Sequence, residues 1–111
     1  MPRSTVRVKS AEHYSGMIEL LELARNFYQD NEKYRDKSKQ KQANKYIRVI
    51  KEQRAENNHA NSFQLQLPIE ISDFVEDFEP HIEFQATEVE NKYPEEMGFI
   101  REALQVFKNI N

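Results

Sequence analysis

The stretch from Phe63 to Ile71 constrains the fold more than any other. Phe63, Leu65, Leu67, Ile69 and Ile71 are apolar, while Gln64, Gln66, Pro68 and Glu70 between them are not. Side chains of a strand alternate between its faces, so this run has one apolar face and one wet face. On a helix the same residues would scatter around the axis. Pro68 has no N–H to give to a ladder, so it puts the strand at a sheet edge, or bends or divides it there. The rest of the chain must cover the apolar face.

A shorter alternation at residues 4–9 sets Val6 and Val8 against Thr5, Arg7 and Lys9, and predicts a short strand. Ser10 then suits a helix N-cap. Tyr14, Met17, Ile18, Leu21, Ala24 and Tyr28 recur at helical spacing, widened by Leu20, Leu23 and Phe27. They predict a helix over residues 11–29, with Gly16 weakening its first turns by about 1 kcal/mol relative to Ala. Residues 30–38 have no apolar period and read as a connector or a solvated helical extension. A second helix over 37–57 turns Ala43, Tyr46, Ile47 and Ile50 inward. Its opposite side carries Lys37, Lys41, Lys45 and Arg48.

Beyond the organising strand, Ser72 is expected to cap one helical turn holding Phe74, Val75 and Phe78, which Pro80 ends. His81 to Thr87 alternates again, with Ile82, Phe84 and Ala86 inward, and predicts a further antiparallel strand. Pro94 suits the first position of a last helix, with Glu95 and Glu96 at its positive end. Its buried stripe is Met97, Ile100, Ala103, Leu104 and Phe107. The expected fold class is α+β: a small two- or three-stranded sheet with three helices, in the order β-α-α-β-β-α. The expected core is Leu20, Leu21, Ala24, Phe27, Ile47, Ile50, Leu65, Leu67, Ile82, Phe84, Ile100, Leu104 and Phe107. With 111 residues the whole chain, 1–111, is expected to be a single domain with one modest core.

Several function classes are excluded by composition. The chain has no cysteine, hence no disulfide framework or thiolate metal site, and a reducing cytoplasm is the expected compartment. No apolar run approaches a membrane span, and the first residues lack the apolar core of a secretory signal. The two glycines, Gly16 and Gly98, both lie in helical patterns, so a glycine-rich phosphate loop is excluded. His13, His59 and His81 show no metal-ligand spacing, although His81 and Glu83 would share a side of the expected strand. Ser15 lies two residues from His13, a spacing that does not bring helix neighbours face to face. No pair of carboxylates sits in surroundings that would part their pKa values. The chain is therefore expected to be no enzyme and to need no cofactor or metal.

The charge is polarised. Residues 1–60 hold thirteen Lys or Arg against eight Asp or Glu, and residues 61–111 hold three against eleven. The acidic half interleaves Glu70, Asp73, Glu76, Asp77, Glu79 and Glu83 with Phe74 and Phe78. The leading expectation is a cytoplasmic regulatory or inhibitor protein that binds a basic protein surface through these residues. The alternative is a DNA- or RNA-binding regulator that uses Arg3, Arg7 and Lys9 with Lys37, Lys41, Lys45 and Arg48 to grip phosphates. A leading strand followed by two helices is similar in order to ribbon-helix-helix DNA-binding modules, where paired strands of a dimer lie in the major groove. Here no glycine turn joins the helices, and the connector is longer and charged. A third expectation is a structural subunit of a larger assembly. The two halves could also simply attract each other within the fold. A homo-oligomer is compatible with any of these; membrane binding is not expected.

Overall fold

The computed structural model describes residues 3–92 and 94–110, and the side chains of all of these but residues 83–92. The fold is α+β, with four helices and a two-stranded antiparallel sheet among the described residues. Strand β1 (Arg3–Val8) leads into helix α1 (Ala11–Asp30). Helix α2 (Lys37–Glu56), strand β2 (Phe63–Pro68), helix α3 (Glu70–Lys92) and helix α4 (Pro94–Lys108) follow.

Both strands obey the period of two. Val6 lies opposite Leu65 and Val8 opposite Phe63. Val8, Phe63, Leu65 and Leu67 are buried, and Val6 packs against them. The organising strand stops at Pro68, and Ile71 is buried from the first turn of α3. α1 packs on both α2 and α4, and α3 packs on α4. Every residue of the expected core is buried except Phe84, whose side chain lies outside the described residues.

The helix starts follow from capping. Ser10 Oγ accepts the His13 N–H at 3.1 Å, and Asp36 Oδ1 accepts the Lys39 N–H at 3.1 Å. Residues 31–36 form a tight connection rather than an extension of a helix. The Asp36 N–H donates to the Tyr28 carbonyl at 3.0 Å, and Arg35 Nε donates to the Gln29 carbonyl at 3.2 Å.

The fold departs from expectation after β2. There is no strand at residues 81–87: α3 runs unbroken from Glu70 to Lys92, so the order is β-α-α-β-α-α with four helices rather than three. Ile71, Phe74, Val75, Phe78 and Ile82 are all buried, and their spacing is helical. That longer apolar stripe outweighs the brief alternation of Ile82, Phe84 and Ala86. Pro80 sits inside the helix without ending it. It removes one helical hydrogen bond, at an exposed position. Ser72 is not a cap. It is buried, and its hydroxyl donates to the Lys108 carbonyl at 3.3 Å, tying α3 to the end of α4.

Candidate nucleic-acid interface

Strand register assembles the outer face of the β1–β2 ribbon. Arg3 lies opposite Pro68, Thr5 opposite Gln66 and Arg7 opposite Gln64. Because the inward positions are apolar, Arg3, Thr5, Arg7, Gln64 and Gln66 all face solvent and are exposed. Lys9 is exposed just beyond the strand, and its N–H donates to His13 Nδ1 at 3.2 Å.

The far edge of β2 is occupied by a side chain from α2. Gln53 Nε2 donates to the Gln66 carbonyl at 2.7 Å, and the Gln66 N–H donates to Gln53 Oε1 at 2.8 Å. The Gln53 amide thus supplies the pair of hydrogen bonds that a third strand would make. Between α2 and the ribbon lies a cleft of about 500 Å³ lined by Arg3, Val49, Glu52, Gln53, Glu56, Gln64 and Gln66. Glu52 and Glu56 place carboxylates on that flank.

Lys37, Lys41, Lys45 and Arg48 are all exposed along the solvent face of α2. At about 1.5 Å per residue they form a track about 17 Å long. Among the described residues, none of these four, nor Arg3, Arg7 or Lys9, has an ion-pair partner. Of the other cations of α2, Lys51 is exposed as well, while Lys39 and Arg54 are engaged. Lys39 Nζ lies 3.2 Å from Asp77 Oδ2, and Arg54 stacks over the Tyr14 ring at 4.4 Å while donating to the Ala60 carbonyl. Burial alone would lower the Lys39 pKa, but the bonds to Asp77 and Tyr28 outweigh it and raise the pKa.

The acidic set is not a single surface. Phe74 and Phe78, expected among the protein-binding residues, are 4% and 0% exposed and belong to the core. They turn inward because α3 is a continuous helix. Asp77 pairs with Lys39, and Glu79 pairs with Lys108 at 2.7 Å. Glu70 is half-buried, and its Oε2 has no partner among the described residues. Only Asp73 and Glu76 are exposed with no ion-pair partner among the described residues; the Glu83 side chain lies outside them.

Packing also creates an acidic cleft that the chain order conceals. Glu12 and Glu19 of α1 meet Glu95 and Glu96 of α4 around a space of about 360 Å³. Burial first, then the charges of Glu96 and Glu22, push the Glu19 carboxyl above its usual pKa. Two of these acids come from the basic half, so charge counting by halves could not find them.

The expected pairing of His81 with Glu83 lies outside the described residues, since the Glu83 side chain is not among them. The His81 ring stacks on Phe27 at 4.6 Å and against Tyr34 at 4.5 Å. His13 is buried while Ser15 is exposed, so they do not work together. No group of three or more His, Asp or Glu among the described residues is placed to hold a metal ion. No helix among them is long and apolar enough to cross a membrane.

The sequence marks Gln64 and Gln66 as wet positions, but only the register places them beside Arg3, Thr5 and Arg7. Comparison with known protein families, with curated proteins and with solved structures finds no match.

Proposed function

We propose that this chain is a non-enzymatic regulator that binds nucleic acid through the outer face of its ribbon and the solvent face of α2. The observation that carries the reading is that all seven cations are exposed and engaged in no ion pair among the described residues. They lie on two faces joined through Gln53, with Thr5, Gln64 and Gln66 among them. Lys and Arg neutralise phosphates and release counterions, while Arg, Gln and Thr are side chains that bond to base edges. A two-stranded ribbon also has the width that the major groove admits. A cytoplasmic setting belongs to this reading and rests on the absence of cysteine.

The test is titration of labelled duplex DNA and of RNA over a range of salt concentrations. Non-specific binding with Kd of about 10⁻⁴ to 10⁻⁶ M at physiological salt is expected, weakening steeply as salt rises. Changing Lys41, Lys45 and Arg48 together to Ala should lower the slope of log K against log salt by up to about 3. No binding at low salt to either polymer would end the proposal.

A second reading keeps protein binding through acidic groups, supported by the exposure of Asp73 and Glu76 and by the glutamates shared between α1 and α4. It loses the aromatic anchors Phe74 and Phe78. Recovery from lysate with and without nuclease separates the two. A nuclease-resistant, stoichiometric protein partner favours this second reading, or a role as a subunit of a larger assembly.

A further inference from the structure

The two edges of the ribbon are treated differently. The edge of β2 is filled by the Gln53 amide, which bonds both main-chain groups of Gln66 at 2.7 and 2.8 Å. Those groups therefore point away from β1. In an antiparallel pair, residues opposite one another point their main-chain groups the same way, both toward the partner strand or both outward. Thr5 is opposite Gln66, so its N–H and C=O point outward from β1. Arg3 and Arg7, two positions to either side, do the same. Pro68 opposite Arg3 fits this pattern, since a residue without an N–H is tolerated where that N–H would face away from the ladder. Among the described residues no group bonds the outward N–H or C=O of Arg3, Thr5 or Arg7.

We propose that this free edge of β1 docks an extended acidic segment of a protein partner, added as a third strand. The main chain of Thr5 supplies the hydrogen bonds, and Arg3 and Arg7 select the charge. Residues of the incoming strand opposite Arg3, Thr5 and Arg7 share their solvent face, so acidic side chains there meet two guanidiniums. Residues opposite Ser4 and Val6, both only half-buried, lie on the core side, where apolar side chains extend the buried surface. The preferred segment thus alternates acidic and apolar residues. A second copy of β1 is the wrong occupant, because antiparallel self-pairing centred on Thr5 sets Arg3 against Arg7, and like charges directly opposite are destabilising. The site uses main-chain groups that the nucleic-acid reading leaves idle, and does not depend on that reading.

The experiment is an amide NMR titration of the whole chain with a short synthetic peptide alternating Glu and Val, beside its charge-reversed partner alternating Lys and Val. Saturable shifts at Thr5 and its neighbours in β1 are expected, with slower hydrogen exchange of the Thr5 amide. Binding should be about tenfold weaker or more for the Lys peptide. The doubly substituted Arg3→Glu, Arg7→Glu chain, changed only at exposed side chains, should reverse that preference. Thr5→Pro removes an outward N–H without touching the β1–β2 ladder, and should abolish binding in a chain whose melt shows it folded. Equal affinity for the two peptides overturns the proposal, as do shifts confined to other elements. Oligonucleotide binding that depends on Arg3 and Arg7, in a chain that takes neither peptide, also overturns it and leaves the nucleic-acid reading in place.

Discussion

Gly16 of α1 packs against the backbone of Phe99 in α4, and its replacement by Ala tests the packing there. By helix propensity alone the change should stabilise, by about 1 kcal/mol. The structure opposes this. A Cβ at Gly16 would lie 2.5 Å from the Phe99 carbonyl oxygen, 2.7 Å from its carbon and 2.9 Å from its Cβ. The nearest two atoms are backbone, so no rotamer change relieves them. α1 and α4 would have to separate by about 1 Å along the contact, and overpacking of that kind costs about 1–3 kcal/mol. Because the obstacle is main chain, the upper end applies, and the net loss is about 2 kcal/mol after the propensity gain. For a chain of this size that lowers Tm by about 10 °C. Gly98 is the internal control: it lies in α4, is exposed, and has nothing within 4 Å of its notional Cβ. Gly98→Ala should therefore gain about 1 kcal/mol from the same propensity. The assay is urea and thermal unfolding followed by circular dichroism. If Gly16→Ala melts at or above the unsubstituted chain while Gly98→Ala rises, the close approach of α1 to Phe99 is wrong.

Leu67 is 0% exposed, so Leu67→Ala should cost about 2–5 kcal/mol, and an unchanged urea midpoint would remove β2 from the core. His59 holds φ at 56° beside Asn58 at 58°; His59→Gly should gain about 0.5–1 kcal/mol by relieving left-handed strain, and a lowered melt would contradict that. Glu76→Gln, Asp77→Asn and Glu79→Gln combined should lower stability by about 1 kcal/mol, because Asp77 and Glu79 hold Lys39 and Lys108; a melt that neither shifts nor loses its salt dependence would show those pairs to be idle. Burial holds His13 below its ordinary pKa of 6.5, with Glu102 opposing and Lys9 assisting. The unfolded chain then binds a proton that the folded chain refuses, so stability falls as pH drops below about 6.5 toward the folded value. His13→Gln should flatten that part of the pH profile measured by urea unfolding, and an unaltered slope would move the effect elsewhere.

The boundaries of β1, α1, α2 and α4 were legible because each couples an apolar period to a boundary signal. Ser10 precedes α1, Pro94 opens α4, and Pro68 closes β2. The misreading at residues 81–87 has a definite cause. Three alternating apolar residues cannot discriminate between periods of 2 and 3.6, and Pro80 at an exposed helical position does not end the helix. The longer pattern from Ile71 to Ile82 contained the right answer, since all five apolar positions fit one helical stripe. A separate turn at Phe74 and Phe78 allows both to serve an interface, whereas a continuous α3 buries both.

What the sequence could not carry is anything that depends on pairing between distant elements. Arg3, Thr5 and Arg7 share a face with Gln64 and Gln66 only because β1 and β2 pair with Val6 opposite Leu65. A shift of one residue would set the polar positions of one strand beside the apolar positions of the other. The asymmetry of the ribbon edges follows from chain order in the same way. α2 runs directly into β2 through residues 57–62, which lays its last turns along β2 and brings Gln53 to Gln66. β1 leads into α1, which packs on α2 and α4, and among the described residues no group bonds the outward edge of β1. The ribbon therefore keeps one edge open because of how its strands are connected, and Arg3 and Arg7 stand on that strand. Cations there guard an open edge against copies of itself. The same charges admit a strand of opposite sign, so protection from self-association and selection of an acidic partner come from one pair of residues.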